Sequence, residues 1–146
     1  MTDPFSRSGL VGLCLACGLL AAACESLSQA NYPAARASEL AGARWVAQSI
    51  DGAAIAVEAP FIRFGADDRL IGSGGCNTLS AIYETNEGAI DVRALGATRR
   101  ACDPQLMRQE ARFLLLLAQA ERYVREPGRL ILADDDGRRI VFAEGA

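Results

Sequence analysis

"AIYETNEGAIDVRAL", Ala81–Leu95, reads as two strands folded around a tight turn. Asn86, Glu87 and Gly88 are turn residues, and a glycine there accepts the left-handed backbone that a short hairpin loop demands. Beyond the turn, Ile90, Val92 and Ala94 fall on one face while Asp91 and Arg93 fall on the other. That alternation is the mark of a strand with one buried face. A chain with such a hairpin at its centre is expected to be built on antiparallel sheet.

The same signals recur on both sides. Upstream, RWVAQSI (Arg44–Ile50) ends at Asp51-Gly52, FIRF (Phe61–Phe64) alternates into the turn GADDR, and RLIGSGG (Arg69–Gly75) loses its side chains as it reaches the glycines. Downstream, RYVRE, RLILA and RRIVFAE are separated by Pro127-Gly128 and by the aspartate run before Gly137. One helix interrupts the strands. Asp103 is placed to cap its start, Pro104 suits the first helical position, and residues 105–120 run on without a breaker. At about 100° per residue, Leu106, Phe113, Leu114 and Leu117 share one face and Arg108, Arg112 and Gln119 the opposite one. The predicted class is therefore α+β, mainly antiparallel β, with the helix packed on the sheet. Two residues conflict with the pattern: Leu115 points to the polar side, where partial cover by the following strand is expected, and Glu110 falls among the apolar residues. The expected partner for Glu110 is an arginine or a backbone amide at the edge.

The first 23 residues place the chain in a compartment. Arg7 precedes an uncharged run from Ser8 to Ala23 that ends in small residues. The run is too short for the roughly 20 apolar residues of a membrane span and has the build of an export signal. Its end, "LLAAAC", resembles the bacterial lipobox, so cleavage before Cys24 is expected to leave that cysteine lipidated with acyl chains such as palmitate. Two or more chains hold a protein to a bilayer more firmly than one. Glu25 and Ser26, rather than an aspartate, follow the cysteine; the expected location is the periplasmic side of the outer membrane. Residues 24–39 are small and polar with a break at Pro33, as a tether is, and residues 40–146 form the domain.

Export changes the reading of "GSGGCN", Gly72–Asn77. The run lacks the Gly-Lys-Ser/Thr end of a phosphate loop and does not open a long helix after a strand. Glycines in a strand mark a bend or a close backbone approach, and Asn77 suits the end of such a bend by tolerating left-handed geometry. Of five cysteines, Cys14 and Cys17 leave with the signal and Cys24 takes lipid, so Cys76 and Cys102 remain. In an oxidising compartment they are expected to bridge, rather than to act as a redox pair, because the C-x-x-C spacing is absent. The run Asp134–Asp136 lacks the alternate spacing of a calcium loop and reads as a solvated hairpin tip.

Composition narrows the function. No histidine occurs, which removes Ser-His-Asp and Cys-His catalysis and the commonest zinc ligand. All 15 basic residues are arginine, yet the formal charge is −3, so nucleic acid is not an expected partner. Arg99, Arg100, Arg108 and Arg112, with Thr98, form the notable basic cluster, a solvated face or a surface for an acidic partner or anionic headgroup.

In order, Trp45, Gly72, the Gly-Gly-Cys-Asn of Gly74–Asn77, Tyr83, the Thr98 and Cys102 of "ATRRAC", and the helix residues Glu110, Phe113 and Leu117 resemble the META, or HslJ-like, family of bacterial envelope proteins. The resemblance covers residues 40–143. It departs at Ala81, where the family has glycine, and at Arg100, where it has methionine. The resemblance implies a sheet curled into a cracked barrel with one helix across the opening. It also implies a stress-linked lipoprotein, with family members tied to heat shock or to novobiocin resistance and a fold similar to a lipid-binding secretin pilotin. It brings no catalytic residues and no cofactor.

The expected function is that of a non-enzymatic, lipid-anchored, monomeric envelope domain that binds an envelope protein partner. The alternative is a carrier of a small hydrophobic molecule or acyl chain in the barrel mouth. A filled core under Phe113, Leu114 and Leu117 favours the first, and a deep apolar cavity the second.

Overall fold

The computed structural model describes residues 39–146. The expected export signal, Cys24 and all of the expected tether but Glu39 lie outside the described residues. The strands are β1 (Arg44–Ile50), β2 (Ala53–Ala54), β3 (Phe61–Phe64), β4 (Arg69–Ser73), β5 (Thr78–Asn86) and β6 (Ala89–Ala97), then, after helix α1 (Pro104–Ala118), β7 (Arg122–Glu126), β8 (Arg129–Ala133) and β9 (Arg139–Gly145). Each paired strand is antiparallel to its neighbour, in the order β2-β1-β3-β4-β5-β6-β7-β8-β9. β1 also pairs with β9 along most of its length, Arg44 opposite Gly145 and Ile50 opposite Ile140, which closes the sheet into a ring.

The ring is cracked at one place. β6 and β7 meet at a single register pair, Ala89 with Arg122, and α1 is the segment that connects them. Connections alternate between the two ends of the barrel. The β3–β4, β5–β6 and β7–β8 turns lie at the end where the chain leads into β1, and α1 lies at the other, together with the β4–β5 and β8–β9 loops. The lead-in is itself anchored: Leu40 is fully buried, Ala41 bridges to Phe64, and the Tyr123 hydroxyl donates to the Glu39 carboxylate at 2.7 Å.

The hairpin at the centre turns on Glu87 and Gly88, whose φ values of 47° and 88° are the pair of positive dihedrals that the favoured two-residue hairpin turn requires. Its second strand departs from simple alternation. Ile90 and Val92 are buried, but Ala94 adopts φ 52° in a bulge opposite Ala81 and turns outward, and Leu95 takes the inward place. An extra residue in one strand reverses the facing of everything after it.

Inside, Trp45, Phe64, Tyr83, Phe113 and Phe142 are almost wholly removed from water. Tyr83 meets Phe64 edge-on with ring centres 4.7 Å apart, and its hydroxyl donates to the Gly65 carbonyl at 2.7 Å. Phe113 brings α1 onto β9 by an edge contact with Phe142 at 6.2 Å. Of the helix residues expected to face the barrel, Phe113 and Leu117 are fully buried, Leu114 is half-buried, and Leu116 joins them. α1 begins as the sequence implies, with Asp103 accepting from the Gln105 amide at 2.8 Å and Pro104 in the first turn.

Candidate functional site

The loop Gly74–Asn77 and the helix α1 are joined by one carboxylate. Glu110 is 6% exposed. Its Oε2 accepts from the backbone amides of Cys76 at 3.0 Å and Asn77 at 2.7 Å, and its Oε1 accepts from Asn77 Nδ2 at 2.6 Å. The amides of a glycine-rich loop, which in other settings receive a phosphate, here receive a carboxylate from the same chain. Gly74 allows the approach: a Cβ there would come within 2.5 Å of the Glu110 side chain. Gly75 supplies the bend with φ 109°.

Asn77 carries the link onward. Its backbone has no positive φ, so its part is not the left-handed end of the bend expected from its residue type. Its Oδ1 instead accepts from Thr98 Oγ1 at 2.9 Å and from the Arg100 amide at 2.7 Å. Two residues further on, Cys102 is bonded to Cys76 with Cα atoms 6.0 Å apart. Loop β4–β5, helix α1 and the segment 98–102 are thus held by one disulfide and five hydrogen bonds radiating from Glu110 and Asn77. Gln109 does the same on the other flank of α1, accepting from the Ala56 amide at 3.0 Å and donating to the Glu58 carbonyl at 2.9 Å.

This arrangement is a clamp. Every donor that meets Glu110 is neutral and held by the fold, two on Oε2 and one on Oε1. The expectation that Glu110 reaches a backbone amide is met, though in the interior rather than at an edge. Gln109 and the side chain of Asn77 were not anticipated; the available signal was the place of Glu110 on the apolar face of the helix.

The other predicted positions separate into inner and outer groups. Arg99, Arg100, Arg108 and Arg112 are all exposed. Because the Arg100 side chain points to water, its departure from the family's methionine buries no charge. Leu115 is 52% exposed, on the polar side of the helix as expected. The aspartate turn is only partly a solvated tip: Asp135 and Asp136 are exposed, but Asp134 is 4% exposed, accepting from the Arg138 amide at 2.9 Å and pairing with Arg138 Nε at 2.8 Å. A surface depression of about 400 Å³ lies between the β5–β6 turn and the β7–β8 hairpin, lined by residues that include Ala89, Arg122, Val124 and Ile131. It sits at the crack and away from the helix face of Phe113 and Leu117.

A family model described as the META domain matches residues 38–146, the whole of the barrel and its helix. The chain belongs to the META domain family. No curated protein matches the sequence. Among solved structures, this META domain is similar to an NMR structure of a protein from Burkholderia xenovorans, at 24% identity and a TM-score of 0.61 over 73% of this chain and 84% of that one. A second NMR structure is similar at 24% identity and a TM-score of 0.59, over 71% of this chain and 90% of the other. These likenesses establish the fold. The residues that carried the family resemblance are those that build the META barrel and its clamp: Trp45 and Tyr83 in the core, Cys76, Asn77 and Glu110 in the clamp, with Thr98 and Cys102 tying it to the segment before α1.

Proposed function

We propose that this META domain is a non-enzymatic binding module of the cell envelope, held by lipid on Cys24 to the periplasmic side of the outer membrane, where it engages another envelope protein under stress in the manner of the HslJ-like proteins. The lack of histidine supports a role without catalysis. The observation that carries the choice of binder over carrier is the filled interior: Trp45, Phe64, Tyr83, Phe113, Leu117 and Phe142 occupy the space that a carrier would keep for an acyl chain. A domain this small has little apolar surface to spare for a void.

Titration with a fluorescent fatty acid tests the choice. No saturable binding is expected, and Leu117→Ala is expected to lose about 2 to 5 kcal/mol of stability through the cavity it leaves. Saturable one-to-one binding that Leu117→Ala weakens without a matching loss of stability would make the protein a carrier. For the anchor, labelled palmitate is expected to enter the full chain and not Cys24→Ala; equal labelling of both removes it.

A further inference from the structure

The face of α1 turned away from the barrel carries Met107, Ala111 and Leu115, spaced by four residues and therefore in line along the helix. Met107 is 45% and Leu115 52% exposed. To one side of this line stand Arg108 and Arg112, both exposed. On the other side, Asn77 holds the Arg100 amide beside the Glu110 flank of the helix. Among the described residues none of these three arginines forms an ion pair, nor do Arg44, Arg63, Arg99, Arg125 and Arg139, while Arg69, Arg93, Arg122, Arg129 and Arg138 each meet a carboxylate. The barrel's own stability accounts for neither feature. Leu115 gains little from folding while it faces water, and unpaired like charges at one end repel.

We infer that this surface docks an acidic amphipathic segment of a partner protein. Apolar side chains of the segment lie along the line from Met107 to Leu115, and its Asp or Glu carboxylates pair with Arg108 and Arg112 on one side and Arg100 on the other. A guanidinium is a planar fork of donors matched to a carboxylate, and it sheds water more readily than an ammonium group does. The line spans about two helical turns, the length of one face of a short helix. The inference rests on the binding-module reading above and names its site and the chemistry of its partner.

Photo-crosslinking of the full chain in its own membrane tests it. With a benzophenone side chain in place of Leu115, adducts are expected to map to one segment of one protein, with Asp or Glu interspersed among apolar residues. The double substitution Arg108→Glu, Arg112→Glu is expected to cut the adduct at least tenfold, and an Asp or Glu→Arg change in the mapped segment to restore it. Both arginines are exposed, so the thermal midpoint of the double variant should match that of the parent; if it falls, the single change Arg112→Glu is read instead. Adducts whose mass is that of a phospholipid, adducts to a second copy of the chain, mapped segments without acidic residues, insensitivity to charge reversal, or no adduct would each overturn the inference. The same probe in place of Ile82, on the outer face of the sheet, separates the two claims. Protein adducts from position 82 alone keep the binding module and remove this site, and none from either position removes both.

Discussion

The two faces of α1 are built from the same kinds of residue and end in opposite states. The inner face pairs Phe113 and Leu117 with Gln109 and Glu110, and each polar atom that goes inside meets a fixed partner: loop amides, a loop carbonyl, the Asn77 side chain. The outer face pairs Met107 and Leu115 with Arg108 and Arg112, and there the apolar groups meet water and the cations meet no carboxylate among the described residues. Burying a polar group costs the fold unless the group is satisfied, so a complete set of partners marks a part of the fold. An exposed and incomplete set costs the fold little and marks a place where something else can complete it.

The largest effect is expected where the inner face is broken at its polar centre. Glu110→Ala strands two backbone amides and the Asn77 amide group in the interior, and the loss is expected at about 3 to 5 kcal/mol in urea or thermal unfolding, from roughly 1 to 3 kcal/mol per stranded donor. A loss below 1 kcal/mol would show that water replaces the carboxylate and that the clamp is not structural. Opening the disulfide by Cys76→Ala with Cys102→Ala is expected to cost about 3 kcal/mol, since the bridge closes a loop of 26 residues in sequence separation. Unchanged stability in that variant would leave the hydrogen bonds from Glu110 and Asn77 as sufficient closure.

A smaller effect belongs where the start of β7 meets the lead-in to β1. Burial first, and then the hydrogen bond to the Glu39 carboxylate, raise the Tyr123 hydroxyl above its ordinary value of 10.0. A group whose pKa rises on folding contributes stability that is fully present below its unfolded value and fades as pH climbs through the folded one. The parent is therefore expected to lose stability above about pH 10 more steeply than Tyr123→Phe does; parallel pH profiles would remove the contribution. The smallest effects are expected on the outer face, where Leu115→Ala and Arg112→Ala should each change stability by about 0.5 kcal/mol or less. A loss above 1 kcal/mol from either would mean that the outer face is part of the fold and would erase the contrast.

The strands were legible because turn residues and two-residue alternation are local signals. Asn86–Gly88, Pro127-Gly128 and the Asp103-Pro104 start of α1 each need only their own neighbours. The bulge at Ala94 was not legible. Alanine carries no mark of a positive φ, and the reversal of Ala94 and Leu95 appears only once β6 is laid against Ala81 of β5. Likewise Glu110 on the apolar face of the helix could be read as a conflict, but its partners lie 33 and 34 residues away, across the closed sheet.

By itself, then, the sequence determined the antiparallel class, one helix among the described residues with its capped start, and the exclusion of histidine chemistry. Each of these follows from composition or from residues within a few positions of one another. Only the tertiary structure decided that β1 closes onto β9, that the ring opens between β6 and β7, that the glycine-rich loop is filled by Glu110, and that Leu115 stays in water between arginines. These depend on which distant segments share a surface, and that is settled by burying the apolar faces of all the strands at once.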